Sequence, residues 1–194
     1  MLERADWGVG EILKALDDAG LRENTLVIFT NDNGGEWLSR NAPLFNRKWT
    51  VWEGGIRVPA IIRWPGVIPA GRVTDQVGIT MDLTATILSV TGADVPDDLQ
   101  LEGLNLLPIL SGQAPEEPRT LFWRSGDRRQ RAVRSGNWKL VIDGRGSFVF
   151  DVRTDVAERH DVANIRQDVA RRLRLLLDAW ETDVDTEAEA NGPG

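Results

Sequence analysis

Apolar and polar positions change period several times along this chain. Over residues 6–19, Val9, Ile12, Leu13 and Leu16 recur on one helical face, with Asp6 placed to cap the start and Gly20 the end. Leu26, Val27, Ile28 and Phe29 then form an unbroken apolar run bounded by turn residues, the pattern of a strand buried on both faces. Residues 41–52 are polar and aromatic and predict a loop. A second buried strand is expected over 58–64, ended by Pro65-Gly66 and Pro69-Ala70-Gly71. Leu83, Thr86, Ile87 and Val90 line one face of a helix over 80–91, with Thr80 as its cap and Gly92 beyond its end. The apolar turn over 104–112 reads as packing. The stretch 113–119, with two prolines and two glutamates, reads as a domain boundary. Strand-like runs follow at 120–123, 130–134, 137–142 and 147–152, separated by Gly-containing turns. A last helix over 168–180 puts Val169, Leu173, Leu176 and Trp180 on one face, with Arg171, Arg172 and Arg174 on a solvated one. The acidic segment 182–194 ends in Asn-Gly-Pro-Gly and predicts a frayed tail.

Composition narrows the class. The chain has 194 residues, 41% apolar and 27% charged, which suits a folded domain and not a disordered segment. Its net charge of −7 argues against nucleic acid as a partner. With no Cys there is no disulfide framework and no thiolate metal site. No apolar run has membrane-spanning length, and Met1-Leu2-Glu3-Arg4 does not open a signal peptide, so neither a membrane nor a secretory route is expected and the cytoplasm is the default compartment.

The chemistry concentrates between residues 30 and 59. The first apolar strand breaks into Thr30, Asn31, Asp32, Asn33, Gly34 and Gly35. Asp32 and Asn33 offer hard oxygens of the kind Ca²⁺ and Mg²⁺ prefer, and in open α/β sheets ligands sit beyond the carboxyl ends of strands. Lys48 follows in sequence. An oxygen-ligand site beside an ammonium is equipment for holding an oxyanion. Taken singly, Asn33-Gly34 is equally a plain turn and Lys48 a solvated charge.

The order of these motifs resembles that of the sulfatases, a branch of the alkaline-phosphatase-like superfamily. Leu26-Val27-Ile28-Phe29-Thr30-Asn31-Asp32-Asn33-Gly34 resembles the family's apolar strand ending in Thr-Ser-Asp-Asn-Gly. Lys48 through Pro59 resembles its Gly-Lys-Gly-Thr segment and the following Glu-Gly-Gly-(Ile/Val)-Arg-x-Pro. Asn31 stands where serine is usual, and Arg47 and Trp49 flank the lysine where glycines are usual. The likeness continues through Ala60 to Gly71 and, more loosely, to about Trp180.

The resemblance implies an α/β fold: the C-terminal portion of an alkaline-phosphatase-like sandwich over 1–112, then a small antiparallel sheet with one C-terminal helix over 119–180 and a flexible tail over 181–194. It implies sulfuric ester hydrolysis, with Asp32 and Asn33 as divalent-metal ligands, Ca²⁺ in preference to Mg²⁺, and Lys48 as a catalytic residue that binds the sulfate group. The family's nucleophile is a formylglycine made from Cys or Ser in a Cys/Ser-x-Pro-Ser-Arg motif. None of Ser39, Ser89, Ser111, Ser125, Ser135 and Ser147 heads that pattern. The expectation is therefore a fragment whose nucleophile lies on an upstream segment, inactive alone, with a sulfate ester as substrate and a second chain or a further copy completing its core. The alternatives are a non-catalytic module that binds an anion or a partner, and a phosphoester hydrolase of the same superfamily. The eight tryptophans raise one more expectation: Trp37, Trp49 and Trp52 as an aromatic rim, against Trp64, Trp138 and Trp180 as core.

Overall fold

The first helix starts earlier than its apolar stripe suggests. In the computed structural model, which describes residues 2–96, 99, 101–126 and 129–191, α1 runs Leu2–Asp18. Asp6 therefore lies inside the helix and does not cap it. Gly20 does end it: at φ 68° it lets the Leu21 and Gly20 N–H groups donate back to the Leu16 and Asp17 carbonyls. After β1 (Val27–Thr30) come a single helical turn, α2 (Glu53–Ile56), and β2 (Ala60–Arg63).

The chain divides into two compact units that are not contiguous in sequence. One comprises Met1–Thr30 and Ala60–Glu117, the other Asn31–Pro59 and Pro118–Gly194. The segment 31–59 thus groups with the C-terminal part.

In the first unit β1 and β2 form a two-stranded antiparallel sheet, Val27 opposite Arg63 and Thr30 opposite Ala60. Both strands fall where the apolar runs predict, but neither is buried on both faces: Phe29 is 43% and Ile61 64% exposed. Two strands give each other hydrogen bonds and no cover. Helix α3 (Thr80–Thr91) ends at Gly92, in the left-handed conformation. Its start is held by Asp82, not Thr80: the buried Asp82 carboxylate accepts the Ile79 N–H at 2.7 Å and the Leu104 N–H at 2.8 Å. That second bond fastens the following loop, and α4 (Leu107–Ser111) packs Ile109 inward.

In the second unit β3 (Thr120–Arg124), β4 (Arg131–Ser135), β5 (Trp138–Asp143) and β6 (Gly146–Asp151) form an antiparallel meander in sequence order. Alternation sends Val133, Leu140 and Val149 to one face, where Val169, Leu173 and Leu177 of α5 (Gln167–Asn191) cover them. The opposite face, Ala132, Val141, Phe150 and Val152, is covered by Val51 and Trp52. Helix α5 continues through Asn191, past the expected end at residue 180. Its final turns are rich in Glu, Ala and Thr and are tied to the sheet by Arg131–Glu181 at 2.8 Å and Arg124–Asp185 at 2.9 Å. Residues 192–194 of the predicted tail lie outside the described residues.

Candidate functional site

The segment 31–59 has one four-residue helical turn and no strand, so its shape comes from side-chain and turn bonds. The Gly34 N–H donates to the Gly55 carbonyl at 2.9 Å, and the Lys48 N–H to the Gly35 carbonyl at 3.0 Å. Asn41 is the hub. Its Nδ2 donates to the carbonyls of Gly35 and Asn46, each at 3.1 Å, while its Oδ1 accepts the Gly35 N–H at 3.2 Å. Two glycines are dictated by close approach: a Cβ on Gly34 would meet the Gly54 carbonyl, and one on Gly55 the Thr50 and Arg47 carbonyls.

These bonds close the Asp32–Gly35 turn onto the segment that carries Lys48. An open cleft of about 430 Å³ lies there, lined by Asp32, Asn33, Arg40, Asn41, Arg57 and neighbouring residues. Asp32 is exposed and Asn33 half-buried. Lys48 is half-buried and does not line this cleft; its Nζ lies 5.4 Å from the centroid of the Trp49 ring. Trp49 is 79% exposed at φ 72°, and Trp37 is 73% exposed. Trp52 is not part of any rim. It is buried against Phe45, Phe148 and Phe150, and its Nε1–H donates to Asp143 Oδ2 at 3.0 Å.

Next to Trp52 lies a buried cluster of charges. Lys139 of β5 is wholly buried, its Nζ 2.8 Å from Glu53 Oε1 and 2.9 Å from Glu158 Oε1. Glu158 Oε2 accepts the Glu53 N–H at 2.7 Å, and Arg57 pairs with the other Glu53 oxygen at 3.4 Å. Burial pushes the Glu53 carboxyl up, but Lys139, with Arg134 and Arg57, outweighs it and holds the group below its ordinary range. Burial dominates at Glu158 and lifts it above its ordinary value despite Lys139, with the Glu53 charge adding to the rise. The Glu53–Arg57 pair follows from their helical spacing. Lys139 and Glu158 did not stand out in the sequence; the one signal was a lysine at an inward-facing strand position.

Asp32 and Asn33 supply two hard oxygen donors, which suits Ca²⁺ or Mg²⁺ as part of a larger ligand set. Among the described residues no group of three or more His, Cys, Asp or Glu side chains is placed to hold a metal. His160 is exposed, with Nδ1 3.6 Å from Asp155.

The Sulfatase family model matches residues 1–93. N-acetylgalactosamine-6-sulfatase of Canis lupus familiaris is 45% identical over 141 residues, 69% of this chain and 26% of that protein. The chain belongs to the sulfatase family. Steryl-sulfatase of Mus musculus is 36% identical over 150 residues, 72% of this chain and 24% of that sulfatase. The solved structure of Ps i-CgsB in complex with k-i-k-neocarrahexaose superposes with a TM-score of 0.85 at 28% identity, covering 93% of this chain and 41% of that one. Phosphonate monoester hydrolase of Agrobacterium radiobacter superposes at 0.69 with 26% identity, covering 95% and 40%. The mixed α/β fold is part of the alkaline-phosphatase-like fold of these structural neighbours. The chain spans about a quarter of the length of the curated sulfatases it matches. No helix among the described residues is long and apolar enough to cross a membrane.

Proposed function

We propose that this chain supplies metal- and sulfate-binding side chains to a sulfuric ester hydrolase. Asp32 and Asn33 hold a divalent ion, Ca²⁺ in preference to Mg²⁺, and Lys48 contacts the sulfate. The observation that carries this reading is the 3.0 Å bond from the Lys48 N–H to the Gly35 carbonyl, which fastens the lysine's backbone to the turn bearing both metal donors. When bound, the metal would act as a Lewis acid on a sulfate oxygen. Lys48 swings its flexible stem off the Trp49 ring and donates to a second sulfate oxygen, offsetting charge that grows in the transition state. The Asn41 bonds keep the two turns together while it does so.

The nucleophile is not among these residues. The sequence has no Cys, and none of its serines heads a Cys/Ser-x-Pro-Ser-Arg motif. The chain alone is therefore expected to bind a sulfate ester without turning it over. Higher identity to an N-acetylgalactosamine-6-sulfatase than to a steryl-sulfatase favours a sugar sulfate as substrate. Likeness to a phosphonate monoester hydrolase supports a second reading, phosphoester or phosphonate hydrolysis on the same scaffold.

The test is calorimetric titration of inorganic sulfate into the chain with millimolar Ca²⁺, beside an assay with 4-nitrophenyl sulfate. Sulfate binding should weaken by about tenfold or more in Lys48→Ala, the loss of one charge-assisted hydrogen bond. Steady aryl sulfate hydrolysis that survives Lys48→Ala would sink the proposal. Tighter binding of phosphate than of sulfate would move the second reading ahead.

A further inference from the structure

A second open cleft, of about 350 Å³, shares the residues Asn41 and Leu44 with the first as common wall. Its lining includes Trp37, Ser39, Arg47 and Arg159. The Arg47 guanidinium lies 3.6 Å from the centroid of the Trp37 ring, over one face. With 73% of Trp37 exposed, the other face is open to solvent. Arg47 Nη1 is shielded from solvent and has no hydrogen-bond acceptor among the described residues; the nearest carboxylate oxygen, on Glu36, is 3.8 Å away. A shielded donor without an acceptor costs free energy that a ligand oxygen would recover. The charges agree. Each cleft is lined by two arginines and one carboxylate, Arg40 and Arg57 with Asp32 in the first, Arg47 and Arg159 with Glu36 in the second. This cationic groove belongs to a chain whose net charge is −7.

We propose that the second cleft is a subsite for an anionic oligosaccharide, with the next sugar ring lying on the open face of Trp37 and its sulfate or carboxylate taken by Arg47 and Arg159. Flat apolar ring faces suit an indole, and paired guanidiniums suit planar or tetrahedral oxyanions. The inference rests on the sulfate-ester reading of the first cleft and extends it from a monosaccharide to a chain.

The experiment is calorimetry on the chain with Ca²⁺ and three probes: 6-sulfated N-acetylgalactosamine, a chondroitin 6-sulfate hexasaccharide, and the same hexasaccharide desulfated and carboxyl-reduced. The sulfated hexasaccharide should bind roughly tenfold tighter than the monosaccharide, the size of one good anchor. Trp37→Ala should bring the hexasaccharide down to the monosaccharide's affinity and leave the monosaccharide unchanged, and Trp37→Phe should retain part of the gain. A hexasaccharide no tighter than the monosaccharide, or a gain that persists in Trp37→Ala, overturns the subsite and leaves the first cleft standing. Equal binding of the desulfated, carboxyl-reduced hexasaccharide, which carries no charge, overturns its anionic character. Failure of all three probes to bind overturns the sulfate-ester reading and the subsite with it.

Discussion

Lys139 shows what one buried charge does for the second unit. It holds two carboxylates, Glu53 from α2 and Glu158 from the loop after β6, on the sheet face that also carries Ala132, Val141 and Phe150, with Arg134 opposite it on β4. Lys139→Met would leave two carboxylates buried against each other, and we expect a loss of about 3–5 kcal/mol in urea unfolding. The two acids respond to pH in opposite directions. Glu53 is held below its ordinary value, so its stabilisation is present above the unfolded carboxylate pKa of about 4.3 and is lost as pH falls through the lower folded value. Glu158 is raised, so its ionised form is penalised, and that penalty is relieved as pH falls from above its folded value towards the unfolded one. Relative to Glu158→Gln, the wild type should gain stability on mild acidification; relative to Glu53→Gln, it should lose its advantage below that pH. Parallel unfolding midpoints from neutral to acidic pH would contradict both signs. Lys139 was not legible in the sequence as a buried charge, because its partner Glu53 lies 86 residues away and strand alternation cannot say whether a lysine faces water or a covered sheet face.

Elements were legible where the signal is local. The runs at 120–123, 130–134, 137–142 and 147–152 match β3 to β6 within a residue or two, since alternation and Gly-containing turns define them without distant help. Helix α3 matches for the same reason. The end of α5 was missed: an acidic segment looks solvated until Arg124 and Arg131 are seen to pair with it across the unit. Burial of β1 was overestimated because an apolar run reports a strand's composition and not its neighbours. The open β1–β2 pair, with Phe29 and Ile61 exposed, leads us to propose association through its edges, with a second chain or another copy. Sedimentation should show dimers or larger species at micromolar concentration, reduced by Ile61→Lys; a clean monomer would contradict this. Trp52 bears on the loop 31–59. Trp52→Ala removes the indole that covers one sheet face and its bond to Asp143. We expect about 3–5 kcal/mol of destabilisation and faster amide exchange at Gly34 and Lys48.

At the scale of the molecule, the segment bearing Asp32, Asn33 and Lys48 is built into the C-terminal unit: Trp52 and Glu53 anchor it to β5 and β6, and Asn41 shapes the clefts above that anchor. The sequence supplied the residue types and their order. It could not supply the long-range anchors, nor the finding that Lys48 leans on Trp49 and stays out of the cleft lined by the other two. We propose that Asp32 and Asn33 bind a divalent ion as one half of a sulfate site. The most direct measurement is the thermal midpoint of the chain against Ca²⁺ concentration, for wild type, Asp32→Ala and Asn33→Ala. Ligand binding to the folded state raises stability by about 2.7 kcal/mol at a hundred times the dissociation constant. A saturable rise in wild type, lost in both variants and increased by added sulfate, is the predicted result. No rise up to millimolar Ca²⁺, or an equal rise in all three proteins, would contradict the account.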